Sequence, residues 1–153
     1  MEPIVYREMR SGEEVAVCQL VERVFNEFIA PDYDQNGIEA FFRFANPGAM
    51  AQRIRSGGFV LVAGQIGKPV GMLEFAVPDR VALLFVSLRH RGVARELLHR
   101  AIDKARSGNP TLSKLTVHSS PYAEAAYSRL GFRRRGSAAT VDGITYIPME
   151  LAL

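Results

Sequence analysis

Val81-Ala82-Leu83-Leu84-Phe85-Val86-Ser87-Leu88-Arg89-His90-Arg91-Gly92-Val93-Ala94-Arg95 is the stretch on which the reading of this chain turns. Its first six residues are apolar at every position, the pattern of a central strand covered on both faces. Beyond it the period changes, and Val93, Leu97, Leu98, Ala101, Ile102 and Ala105 fall on one stripe of a helix. Strand and helix are joined by a short loop carrying Arg89, His90, Arg91 and Gly92, with Arg95 just inside the helix. A helix N-terminus leaves backbone N–H groups unpaired and carries partial positive charge, so such a junction can receive a pyrophosphate. Gly92 and Ala94 keep side chains away from the backbone there, and three arginines add full charge. An ordinary strand–loop–helix link with a basic surface would read the same way.

The flanking sequence supplies the rest of the fold. Upstream, Phe59–Ala63 and Val70–Val77 read as strands joined by a tight turn at Gly67-Lys68-Pro69, and Pro78-Asp79 turns the chain into Val81. Ile4 to Met9 predicts a first strand, and Ser11 offers an N-cap for a helix with Val17, Val21, Val24 and Phe28 at helical spacing. Cys18 lies on that helix and reads as a packed small hydrophobe. Residues 31–37 read as a loop. A helix with Phe41, Phe42 and Phe44 follows, then a turn at Asn46-Pro47-Gly48 and a short helix to about Arg55. Downstream, Leu115–Val117 is a strand, and Pro121 to Leu130 a helix with proline first and Gly131 just past its end. Phe132 onward and Tyr146–Leu151 close the chain as strands. The order β-α-α-β-β-β-α-β-α-β-β predicts one mixed α/β domain over residues 1–153.

Composition narrows the functional classes. Of 153 residues, 48% are hydrophobic and 23% charged, the balance of an ordinary globular protein. No run approaches the ~18 apolar residues that span a bilayer, and no secretory leader pattern opens the chain, so no membrane association and a cytoplasmic location are expected. One cysteine and three histidines without zinc-like spacing predict no metal site. Charge is unevenly placed: residues 1–86 hold 8 Lys/Arg against 11 Asp/Glu, and residues 87–153 hold 11 against 5. The second half therefore suits an anionic partner, either a nucleic acid or a phosphorylated cofactor, unless both halves are simply solvated faces. The acidic first half and the lack of an interleaved basic–aromatic stripe count against nucleic acid.

A second segment is His118-Ser119-Ser120-Pro121-Tyr122-Ala123-Glu124-Ala125-Ala126-Tyr127-Ser128-Arg129-Leu130-Gly131-Phe132. Ala123, Ala126, Tyr127 and Leu130 share a helical face, which suits a core aromatic as well as a functional one. Taken together and in this order, the two segments resemble the GNAT superfamily of N-acetyltransferases. Arg89-x-x-Gly92-x-Ala94 resembles its acetyl-CoA motif, and Ala123, Tyr127, Leu130, Gly131 and Phe132 resemble its later A-x-x-x-Y-x-x-L-G-F motif. Where many similar sequences carry proline, this chain reads Ser87-Leu88, which leaves two registers open for the strand end.

The resemblance implies a central mixed, mostly antiparallel sheet, splayed at the cofactor site and flanked by helices. It implies acetyl-CoA as co-substrate and a small-molecule or peptide amine as acceptor, with direct attack in a ternary complex. Backbone groups of Phe85, Val86 and Ser87 would then hold the pantetheine arm, and Arg89, Arg91, Gly92, Val93, Ala94 and Arg95 the phosphates. Tyr127 takes the place of the family's general acid. Glu74 is the first candidate base and His118 the second, since an imidazole with a pKa of about 6.5 suits proton removal at neutral pH. A surface glutamate and a turn histidine are the plain readings of those two residues. Asp32, Tyr33 and Asp34 are candidates to draw a cationic amine, and Arg129 with Arg133-Arg134-Arg135 to assist a 3′-phosphate. A homodimer would be in keeping with the resemblance. The alternatives are a non-catalytic acyl-CoA-binding module of the same fold and a small nucleic-acid-binding domain.

Overall fold

The computed structural model describes residues 2–153. Its elements are β1 (Val5–Glu8), α1 (Glu14–Phe28), a 3-10 turn (Ala30–Asp32), α2 (Gln35–Phe44), α3 (Pro47–Arg55), β2 (Phe59–Gln65), β3 (Lys68–Ala76), β4 (Arg80–Val86), α4 (Val93–Gly108), β5 (Lys114–Ser119), α5 (Glu124–Arg129), β6 (Arg133–Arg134), β7 (Ala139–Val141) and β8 (Ile144–Ala152). The strands run in the order β1-β2-β3-β4-β5-β8-β6, with β7 hydrogen-bonded to β8 as a separate hairpin. Every pairing is antiparallel except that of β4 with β5.

The sheet is covered on both faces, which explains why β4 is apolar throughout. On one face α4 buries Val93, Leu97, Leu98, Ala101 and Ala105, and these share a core with Val81, Leu115, Val117, Tyr127 and Phe132. On the other, α1 buries Val17, Leu20, Val21 and Phe25 in a core with Met50, Val60, Val62, Met72, Leu83 and Phe85. Phe25 stacks on Phe41 at 3.8 Å between ring centroids, fastening α1 to α2.

A bulge in β4 decides which residue faces which core. Glu74 of β3 pairs with Leu83, but the next residue, Phe75, pairs with Val81, so Ala82 is an extra residue on β4. Without it Val81 and Leu83 would point the same way. With it Val81 enters the α4 core, while Leu83 and Phe85 enter the other.

Several boundaries differ from the sequence expectation, each for a local reason. Ser11 is not the cap of α1. That position falls to Glu13, whose carboxylate takes two hydrogen bonds from Arg7 and one from the Arg10 amide. Residues 31–37 are not all loop, because the Asp34 carboxylate accepts from the Gly37 amide at 2.8 Å and starts α2. Asn46 closes α2 and opens α3: its Nδ2 donates to the carbonyls of Phe42 and Arg43, and its Oδ1 accepts from the Ala49 amide. Pro121 lies in a turn, and α5 begins three residues later at Glu124. The hairpin of β7 and β8, turning at Asp142-Gly143, was not expected.

That hairpin docks on the start of α2 by backbone contact. A Cβ at Gly37 would lie 2.5 Å from the Gly143 carbonyl oxygen, so only glycine allows the approach. The Tyr33 hydroxyl donates to the Thr145 carbonyl at 3.1 Å beside it. Among the described residues no helix is long and apolar enough to cross a membrane.

Candidate active site

Parallel pairing of β4 with β5 stops almost as soon as it begins, at Arg80 opposite Thr116 and Val81 opposite Val117. Past the bulge the pairing ends, and among the described residues β4 has no neighbouring strand on that side. Its backbone groups there can be assigned by alternation. The Ser87 amide donates to the Val70 carbonyl at 2.9 Å, so Ser87 faces β3. Antiparallel alternation then turns Phe85 and Leu83 toward β3 as well, and turns Val86 and Leu84 toward the open edge. This alters the expected trio Phe85, Val86 and Ser87. Val86 presents its main chain to the wedge, Phe85 and Ser87 do not, and Leu84 does so without having been anticipated. It also settles the register: the strand ends at Val86.

The α4 N-terminus lies just past this edge. Asp34 and Asn46 cap their helices with side-chain oxygens, but α4 is capped by Gly92 in the left-handed region, φ +71°, with no side-chain hydrogen bond. The amides of Val93, Ala94 and Arg95 precede the first intrahelical bond, from Glu96 to the Gly92 carbonyl. They are left for an external acceptor, with the helix dipole behind them. The arginines separate by role. Arg89 donates to the Tyr122 hydroxyl at 2.6 Å and lies over the Phe28 ring at 4.2 Å, bridging α1 to the turn before α5. Arg95 donates to the Arg129 carbonyl at 3.4 Å, and Arg91 is half-buried near Tyr6 of β1. In the run near the C-terminus, Arg134 pairs with Glu124 and Arg135 with Glu150.

Two cavities open along the wedge. The smaller, about 300 Å³, lies on the α4 side and is lined by Phe28, Val86, Arg89, Ala94, Tyr122 and Arg129, among others. The larger, about 480 Å³, runs along β4 from Arg80 to Phe85 under α2 and the hairpin of β7 and β8. They share Ile29, Leu84, Phe85, Ala123 and Tyr127. Tyr127 is only 8% exposed, and its ring meets Phe132 edge-on. Among the described residues no fully buried side-chain polar atom lacks a partner, and the Tyr127 hydroxyl makes no hydrogen bond. The hydroxyl therefore opens on the space it lines. Burial pushes its pKa above the ordinary phenol value, so it stays protonated at neutral pH.

The two candidate bases fare differently. His118 lines the larger cavity and stacks on Tyr146 at 4.1 Å. Partial burial, with Arg80 and Arg135 nearby, lowers its pKa and keeps the ring neutral at pH 7. Its Nδ1 lies 3.0 Å from the Arg80 guanidinium, which can only donate, so Nδ1 accepts and Nε2 carries the proton. Glu74 lines neither cavity and is 0% exposed. Arg53 of α3 holds both its oxygens, at 2.5 and 2.9 Å, and donates also to the Phe44 carbonyl. The expectation that Glu74 faces the amine is corrected: its carboxylate is turned into the core beneath α3. Of the loop candidates, Tyr33 lines the larger cavity, Asp34 is a helix cap, and Asp32 is exposed in the 3-10 turn.

Cys18 takes no part in this arrangement. Burial, with Glu74 adding to it, pushes its thiol up to about 11. Iodoacetamide at pH 8 should label native protein at least about tenfold more slowly than urea-unfolded protein. Equal rates would mean that the thiol is reachable in the fold.

The sequence profile of the acetyltransferase (GNAT) domain matches residues 29–153. The chain belongs to that family. As a GNAT N-acetyltransferase domain it is an acyltransferase. Solved structures agree in fold. A GCN5-related N-acetyltransferase of Rhodopseudomonas palustris superposes with a TM-score of 0.82 at 22% identity, covering 100% of this chain and 98% of that one. PaiA N-acetyltransferase of Thermoplasma acidophilum, solved with coenzyme A, gives 0.77 at 16%, covering 99% of each chain. A GNAT-family acetyltransferase of Staphylococcus aureus gives 0.74 at 17%, covering 98% and 99%. No curated protein sequence matches the chain. The splayed β4 and β5 of this GNAT domain, its glycine-capped α4 and the tyrosine between its two cavities are thus set within a shared fold. Among its described residues no group of three His, Cys, Asp or Glu side chains is placed to hold a metal ion.

Proposed function

We propose that this GNAT domain, acting as a single unit over residues 1–153, transfers an acetyl group from acetyl-CoA to a primary amine by direct attack in a ternary complex. The observation that carries the reading is the shared boundary of the two cavities at Leu84, Phe85 and Tyr127. One cavity leads to the bare amides of α4 and suits the cofactor; the other is separate and suits the acceptor. Two substrates entering from opposite sides would meet beside the one hydroxyl that both cavities share.

When bound, acetyl-CoA supplies a thioester carbonyl for the amine to attack. Leu84 and Val86 hold the pantetheine arm by main-chain hydrogen bonds, as an added strand would. Val93, Ala94 and Arg95 donate backbone N–H groups to the pyrophosphate, and Arg129 lies in the same cavity. Tyr127 gives its proton to the departing sulfur. His118, neutral and at the Arg80 end of the acceptor cavity, takes the proton that the amine loses through a chain of waters along the cavity, once its Nδ1 is released by Arg80. PaiA, crystallised with coenzyme A in the same fold, supports the choice of cofactor.

The test is thermal unfolding with and without acetyl-CoA. At a hundred times its dissociation constant a ligand adds about 2.7 kcal/mol, which raises Tm by about 5–10 °C in a chain of this size. Gly92→Glu should abolish the shift. It forces a β-carbon into a left-handed position and sets a carboxylate where phosphate must bind. A full shift in the variant would remove α4 from the cofactor site.

A further inference from the structure

Resting on the transferase reading above, we infer that the acceptor carries a carboxylate at the end opposite its reactive amine, with an apolar spacer between. The argument begins with Arg80. The residue lines the larger cavity and is half-buried, its guanidinium meets His118 at a solvent-exposed contact, and it forms no ion pair with any described carboxylate. Its recorded hydrogen-bond partner is the neutral His118 ring. A guanidinium has five donors in a planar fork, and the bond to His118 leaves most of them free for a ligand that enters the cavity. A carboxylate matches that fork.

The charge of the cavity agrees. Arg43 and Arg80 line it against the single carboxylate of Asp142. His118 reports the same field, since Arg80 and Arg135 both help to depress its pKa. A diamine or polyamine would bring a second cation to a site that is already positive. Much of the remaining wall is apolar or aromatic, with Phe25, Tyr33, Phe41, Phe85, Ile144 and Tyr146 among its lining.

Length then excludes the smallest candidates. Transfer takes place near Leu84, four residues along β4 from Arg80, and at about 3.3 Å per residue this is roughly 10–13 Å once the bulge is allowed for. With the Arg80 guanidinium held at its end of the trough beside His118, an α-amino acid, whose amine and carboxylate share one carbon, falls short of that distance. The acceptor is therefore extended: an ω-amino acid or a short apolar peptide with free ends. Arg80 that has turned to such a carboxylate lets go of His118 Nδ1, so acceptor binding and release of the base are one event.

The experiment compares three amines of equal chain length: ω-aminooctanoate, octylamine and the terminal diaminooctane. With acetyl-CoA saturating, kcat/KM should be highest for the carboxylate, about tenfold or more above octylamine, as for a hydrogen bond to a charged group. The diamine should be lowest. In Arg80→Gln the ratio of aminooctanoate to octylamine should fall close to one, and Arg80→Lys should keep part of it. Preference for the diamine, or an unchanged ratio in Arg80→Gln, overturns the inference and leaves the transferase reading standing. If neither these nor any amine of a wider panel is acetylated, the transferase reading fails and the inference with it.

Discussion

Replacing Tyr127 by phenylalanine is expected to lower kcat by about 10²–10⁴-fold, while the dissociation constant of acetyl-CoA changes by less than about threefold. The ring makes the structural contribution: it lines both cavities and meets Phe132 edge-on, and phenylalanine reproduces both contacts. The hydroxyl has no partner among the described residues, so its removal leaves no orphaned group among them. What is lost is a proton held ready at neutral pH by a phenol whose pKa is raised through burial. Steady-state kinetics with equilibrium binding of acetyl-CoA separates the two effects. Equal loss of binding and of rate would mark Tyr127 as a wall of the cavity, and an unchanged rate would place the proton donor elsewhere.

The second large effect is on stability and concerns Arg53 and Glu74. Arg53→Met is expected to destabilise the fold by about 3–5 kcal/mol, because the Glu74 carboxylate would stay in the core without its partner. In a chain of this size that lowers Tm by about 6–20 °C. Changing both residues, Arg53→Met with Glu74→Leu, should recover most of the loss, since an apolar pair of similar volume leaves no charge to desolvate. Glu74→Gln should retain kcat within about threefold in whatever fraction is folded. A catalytic base would give the opposite pattern, with Tm preserved and turnover abolished. Differential scanning calorimetry together with initial rates decides between them.

These two residues show what the sequence makes legible. Tyr127 stands out because a helix-end motif fixes its place relative to Gly131 and Phe132. The strand of β4 and the stripe of α4 are equally plain, because periodicity is a local property. Glu74 is a carboxylate within an apolar strand, and alternation cannot tell whether it faces water or a guanidinium. Its partner lies on a helix 21 residues earlier, and only the packed chain joins them. The same holds for Leu84. A motif centred on Phe85 gave no reason to prefer it, since the direction of a strand's backbone groups depends on register with the neighbour and on the extra residue at Ala82. Arg80 escaped notice because a cation beginning a strand is ordinary until the cavity around it is seen. Other misses had visible signals. Asp142-Gly143 between short alternating runs marks a hairpin, and Asp34 three residues before Gly37 marks a cap.

The backbone dock of Gly37 against Gly143 has a bearing on how such a protein diverges. The roof over the trough is fastened by main-chain atoms and by the Tyr33 hydroxyl on a carbonyl, whereas the roof's own contribution to the trough is made by the side chains of Val141, Asp142, Ile144 and Tyr146. Fastening and lining are thus written in separate residues. Exchange of those four side chains re-tailors the admitted molecule without loosening the attachment, whereas a single methyl at either glycine would prise the roof away whatever its lining. A lineage of this architecture can be expected to hold its two glycines fixed while its choice of acceptor drifts.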